Sequence, residues 1–113
     1  MNDLTLICET CRFPINGNTG CIYVIFPDIN TARREEGREI HWRTSHYAHF
    51  AEGDRDAYEI SAERIAMWRQ FIWWTAHLME KNWFGRSDWD ELLHEVSGDE
   101  PSHRIRVVAE EAA

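Results

Sequence analysis

The sequence predicts an α+β domain in which a two-cysteine knuckle and short strands pack against a long helix and a shorter one. Three observations carry that expectation. Cys8 and Cys11 form a Cys-x2-Cys pair between short β-branched runs, an apolar stretch of helical period covers residues 61 to about 82, and a second one follows Ser87.

Leu4-Thr5-Leu6-Ile7 reads as a strand leading into the cysteine pair. Asn16, Gly17, Asn18 and Gly20 are turn residues that tolerate positive φ, and Cys21–Phe26 is the clearest strand in the chain. The two strands with the turn between them make a β-hairpin, with Cys8 and Cys11 on the knuckle beside it. Pro27 ends the second strand. Residues 28–44 are polar and charged, with a helical turn or two around Thr31–Arg38 and then a loop to Trp42. Ser45–Phe50 carries two histidines, Glu52–Asp56 is a loop, and Tyr58–Ile60 is a third short strand.

Ser61 caps the long helix, which runs to about Asn82. On a helical wheel Ile65, Trp68, Ile72, Ala76, Met79 and Trp83 share one face, widened by Met67, Phe71, Trp74 and Leu78. Gly85 stops this helix. Ser87 caps a second one bearing Trp89, Leu92, Leu93 and Val96, ended by Gly98 and Pro101. The domain spans residues 1–98. Residues 99–113 form a mobile or loosely attached acidic tail, in which Ile105–Val108 admits an edge strand.

A chain of 113 residues with 43% hydrophobic content and six tryptophans can build one core, but a modest one that gains from a local cross-link. No run of about 18 uncharged apolar residues spans a membrane. Met1-Asn2-Asp3 lacks the basic start of a signal peptide, so a cytoplasmic location is expected. In that compartment a close cysteine pair binds metal or does redox chemistry rather than forming a disulfide framework. The formal net charge of −8 disfavours nucleic acid, because phosphate neutralisation supplies most non-specific affinity. Arg33, Arg34, Arg38 and Arg43 are interleaved with Glu35, Glu36 and Glu39, the pattern of a solvated mixed face.

Zinc takes four borderline or soft ligands in a tetrahedron, and a Cys-x2-Cys turn delivers two of them. His46-Tyr47-Ala48-His49 offers a second pair at the same separation. The 34 intervening residues suffice to fold back onto the knuckle. One structural zinc ion, Zn2+, on Cys8, Cys11, His46 and His49 is therefore expected. His41 and Cys21 are the substitutes if a pair member is replaced; otherwise Cys21 packs inside its strand and His41 faces solvent. A redox role for Cys8 and Cys11 would need the pair at the start of a helix in a βαβ unit, whereas here it leads into a hairpin. His77, His94 and His103 read as surface residues.

Cys8, Cys11, Pro14, Ile15 and Gly20, followed by Tyr58 and Ile60, resemble a group of small zinc-finger-like proteins from actinobacteria and their phages. So do Trp74–Lys81, Trp83, Ser87-Asp88-Trp89 and Leu92-Leu93. The resemblance implies a zinc-finger-like fold with a helical C-terminal half, and no activity. Two positions depart from the pattern. The group's second ligand pair is usually His then Cys, where this chain has His49, and a polar residue is usual at the position of Trp73.

No deaminase, metalloprotease, nucleophile-elbow, phosphate-loop or Rossmann signature is present, so no enzyme activity is expected. Glu9, between the cysteines, is placed for a general base but reads as an exposed knuckle residue. Trp73 falls in the polar arc of the long helix beside Arg69, His77 and Glu80. Either a loop or the tail covers it, or Trp73, Arg69 and His77 form a partner-binding surface, since Trp and Arg are enriched at interface hot spots.

The function expected is a non-catalytic, zinc-stabilised protein-interaction module that also admits a homodimer. The phage resemblance points to a host protein as partner, including the variant of an anti-defence inhibitor acting by acidic mimicry. The alternative is a small zinc-finger nucleic-acid-binding regulator, which requires Arg33, Arg34, Arg38 and Arg43 to converge beside the zinc. A zinc hydrolase or nuclease would require an open coordination position.

Overall fold

The computed structural model describes residues 3–35, 37, 39–98 and 104–108. Among them the fold is α+β, with two three-stranded antiparallel sheets and three α-helices. The first sheet has the order β2-β1-β6, from Pro14–Ile15, Leu4–Ile7 and Ile105–Val107; the second has β4-β3-β5, from Arg43–His46, Gly20–Ile25 and Ala57–Ser61.

The expected hairpin between residues 4–7 and 21–26 does not form. β1 turns back immediately through the cysteine knuckle and pairs with β2, Leu6 opposite Ile15. The Asn16–Thr19 turn, with Gly17 at φ +57° as its composition suggests, then carries the chain into the other sheet. Gly20 makes that passage: a Cβ there would strike the Ser45 carbonyl oxygen and lie 2.8 Å from His46 Cα. β3 is central, pairing with β4 through Gly20↔His46 and with β5 through Ile22↔Ile60.

α1 spans Phe26–Arg34, earlier than the expected turn at 31–38, because Pro27 falls in its first turn, where no N–H is needed. α2 spans Trp68–Leu78, much shorter than the predicted 61–82. Ser61 does not cap it. That residue ends β5, pairing with Cys21, and a 3-10 turn at Ala62–Arg64 follows. The true start is set by Gln70 Oε1, which accepts from the N–H groups of Ala66 and Met67, and by Asp3 Oδ2, which accepts from Trp68 N–H.

α3 spans Trp89–Ser97 and ends at Gly98 in the left-handed region. Ser87 is not its cap; its hydroxyl donates to the Phe84 carbonyl. Gly85 lies inside a 3-10 turn at Phe84–Arg86 rather than ending the long helix.

The buried face of α2 is narrower than predicted and lies to one side of it. Ile72 and Met79, placed at its centre, are each 65% exposed, whereas Phe71 and Leu78, placed at its margin, are buried. α3 selects that face: Trp89 Nε1 donates to Thr75 Oγ1 at 2.9 Å, and the Phe71 and Trp89 rings stack at 5.6 Å. Trp42 stands at the centre of the core, edge-on to Trp89 at 4.9 Å and beside Trp83. Residues 104–108 belong to the fold rather than to a loosely attached tail. Ile105 is fully buried and β6 pairs with β1, Leu4 opposite Val107. The rest of the expected tail, 99–103 and 109–113, lies outside the described residues, as does His103. No described helix is long and apolar enough to cross a membrane.

Candidate metal centre

Cys8 and Cys11 sit in the turn between β1 and β2. Cys8 N–H donates to the Phe13 carbonyl at 3.0 Å and Arg12 N–H to the Cys8 carbonyl at 2.8 Å. Arg12 takes φ +67°, uncommon for a side-chain-bearing residue, and this closes the turn. His46 ends β4, and His49 ends the 3-10 turn Tyr47–His49 that follows.

The knuckle is stitched to β4 by three bonds. Glu9 N–H donates to the Thr44 carbonyl, Thr44 N–H to Glu9 Oε1, and Thr44 Oγ1 to the Ile7 carbonyl at 2.6 Å. Glu9 is thus not a free knuckle carboxylate; it spans the segment that carries Cys8 and Cys11 and the one that carries His46.

The potential ligand atoms of Cys8, Cys11, His46 and His49 all lie within 4.8 Å of one another, close enough to hold a metal ion. Cys8 Sγ is 3.5 Å from His49 Nδ1, and Cys11 Sγ is 3.4 Å from His46 Nδ1. His46 Nε2 lies 3.1 Å from the Pro14 carbonyl oxygen. A carbonyl only accepts, so Nε2 carries the proton and Nδ1 turns a lone pair toward the cysteines, the tautomer a metal requires. Burial pushes the Cys8 thiol up, but the His49 ring and the backbone N–H groups of Cys11, His46 and Thr10 outweigh it and hold the group at about 5. A thiolate is the ligating form.

The two substitute ligands are elsewhere. Cys21 is fully buried in β3, where burial and the charge of Glu59 push its thiol up to about 12. His41 does not simply face solvent. Its Nδ1 is 2.5 Å from Asp88 Oδ2 and its Nε2 3.5 Å from Glu9 Oε2. Asp88, 2% exposed, also accepts from Trp42 N–H and from Arg104 Nη1. Arg104 in turn pairs with the buried Glu95 at 2.6 Å. This chain of charges joins the knuckle to α3 and β6, and sequence spacing gave no sign of it.

A cleft of about 320 Å³ opens beside His49, with Glu9, Tyr23, His41, Arg43 and Asp54 in its wall. Its charged groups are already engaged: Glu9 with Thr44 and His41, His41 with Asp88, and Arg43 with Asp28 and Asp54.

The three residues expected at a partner surface lie together on α2. Trp73 is 57% exposed and stacks on His77 at 4.9 Å and 8° between planes, with the exposed Arg69 one turn earlier. No family model, curated protein or solved structure matches the chain.

Proposed function

We propose that this protein is a non-catalytic protein-interaction domain held together by one structural zinc ion on Cys8, Cys11, His46 and His49. The ligand spacing carries the reading. For a tetrahedral zinc with Zn–S near 2.3 Å and Zn–N near 2.0 Å, each sulfur and nitrogen should stand about 3.5 Å apart. The two pairs stand 3.5 and 3.4 Å apart. Four protein donors complete a tetrahedron and leave no position for substrate water, the arrangement of a structural site.

The paired state of Glu9, His41 and Arg43 supports the same reading, since none is left over to act as a base or to grip an anion. The nucleic-acid alternative loses Arg43, which is neutralised by Asp28 and Asp54; Arg33 donates to the Asn82 amide and Arg34 is exposed on α1. Arg38 lies outside the described residues. The outward tryptophan of α2, with Arg69 and His77, is the surface offered to a protein partner.

X-ray absorption at the zinc edge tests the site. Two sulfur and two nitrogen scatterers are expected, unchanged by azide or a hydroxamate. An oxygen ligand that such an anion displaces would sink the structural, non-catalytic reading.

A further inference from the structure

We infer that the outer face of α2 is a contact between two copies of this chain, paired antiparallel about a two-fold axis. This names the partner of the surface proposed above and rests on that proposal. Trp68, Ile72, Ala76 and Met79 follow one another at i, i+4, i+8 and i+11, so they form one stripe along the helix. All four are exposed, Trp68 by 39% and Ile72 and Met79 by 65% each, and Trp73 borders the stripe at 57%. The stripe is a true second apolar face, because Phe71 and Thr75 already occupy the inner one against Trp89 and Leu78 is fully buried in the core.

Three features point to a second copy as the occupant. The first is charge. Arg69 flanks the stripe near its start and Glu80 near its end, roughly 16 Å apart along the axis. Neither has an ion pair among the described residues. An antiparallel two-fold brings Arg69 of each copy to Glu80 of the other, a self-complementary arrangement that closes on itself. The second is the local balance. Between residues 68 and 81 stand two cations and one carboxylate, whereas the whole chain carries −8, so this segment is spared the self-repulsion of the rest. The third is shape and size. Ala76 lies between the larger side chains close to the axis, where a small residue lets two helices approach. The exposed parts of Trp68, Ile72, Trp73 and Met79 come to roughly 400 Å² per copy, on the order of 800 Å² for a pair before its polar rim is added. That is the size of a weak, transient contact and implies a concentration-dependent monomer–dimer equilibrium rather than a permanent dimer.

Sedimentation velocity of the full chain, produced with zinc, over about 1 to 300 µM tests this. The mass should rise from 13.4 kDa toward twice that value. Ile72→Glu should remain monomeric at every concentration with an unchanged far-UV spectrum. Arg69→Glu or Glu80→Arg alone should weaken the dimer about tenfold, and the two together should restore it. A folded wild-type chain at 13.4 kDa throughout would overturn the second copy as partner, leaving the structural-zinc reading to its own test at the zinc edge. So would a dimer indifferent to Ile72→Glu and to both charge reversals, or a monomer whose tryptophans become accessible to a quencher only when residues 109–113 are removed.

Discussion

His46 donates its Nε2 proton to the carbonyl of Pro14 at 3.1 Å and thereby presents Nδ1 to Cys11 Sγ, 3.4 Å away. Pro14 stands in β2, opposite Ile7 of β1. The hairpin that holds the two cysteines therefore also orients one of the histidines that meets them.

Removing that imidazole should open the site. His46→Ala is expected to lower zinc affinity by at least about 100-fold and to loosen the fold, because metal binding and folding are coupled. Competition with a chromophoric chelator measures the affinity. His49→Cys should retain the metal, since a thiolate serves equally well as a zinc ligand.

Gly20 lies where a side chain would meet the backbone of Ser45 and His46. Gly20→Ala should force β4 away from β3 and cost about 2–3 kcal/mol, the range of an overpacked interior position. Urea denaturation reads the loss, and the weakened zinc affinity that accompanies it reports the shift of His46. Gly17→Ala, with open space around it but φ +57°, should cost less, about 1 kcal/mol.

Arg104 is 5% exposed and bonds both Asp88 and Glu95, themselves buried. Arg104→Met removes the cation that the two buried carboxylates share and should cost about 3–5 kcal/mol. A chain truncated after Gly98 should lose this contact and β6 together, and should fail to show a cooperative thermal transition.

His41 carries a pH signature. Hydrogen bonds to Asp88 and Glu9 outweigh burial and raise it from 6.5 to about 9. A raised folded-state value stabilises fully below the unfolded value and fades as pH climbs through the folded one, so this contribution is complete below about pH 6.5 and gone above about pH 9. The His41 side chain is 52% exposed, so solvent screening leaves about 1 kcal/mol. Asp88 acts in the opposite direction: burial pushes it up, but His41, the Trp42 N–H and Arg104 hold it below its usual 3.8, so its share is lost as pH falls through that lowered value. The difference in urea stability between wild type and His41→Gln should shrink from pH 6.5 to 9; a constant difference would exclude this ion pair as its source.

The fold class, β3, β5 and α3 were legible because each is a short apolar run with clear punctuation. So was the grouping of Cys8, Cys11, His46 and His49, whose Cys-x2-Cys and His-x2-His spacings survive any rearrangement of the strands between them. The strand pairing was not legible: Pro14–Ile15 is only two residues long, too short to announce a strand, yet it takes the place beside β1 that the hairpin expectation gives to Cys21–Phe26. α2 misled for a different reason. Apolar residues surround most of its circumference, so periodicity could not say which face is inner, and the choice is made by Thr75 and Phe71 against Trp89, a contact between helices. The His41–Asp88–Arg104–Glu95 network escaped because its members are spread over more than 60 residues and share no spacing rule.

Native mass spectrometry of the purified chain, with and without a zinc chelator, tests the metal site most directly. One zinc ion per chain is predicted, lost on chelation together with compactness and absent from Cys8→Ser. A compact chain that carries no metal, or one that keeps its zinc in Cys8→Ser, would contradict a structural site on Cys8, Cys11, His46 and His49.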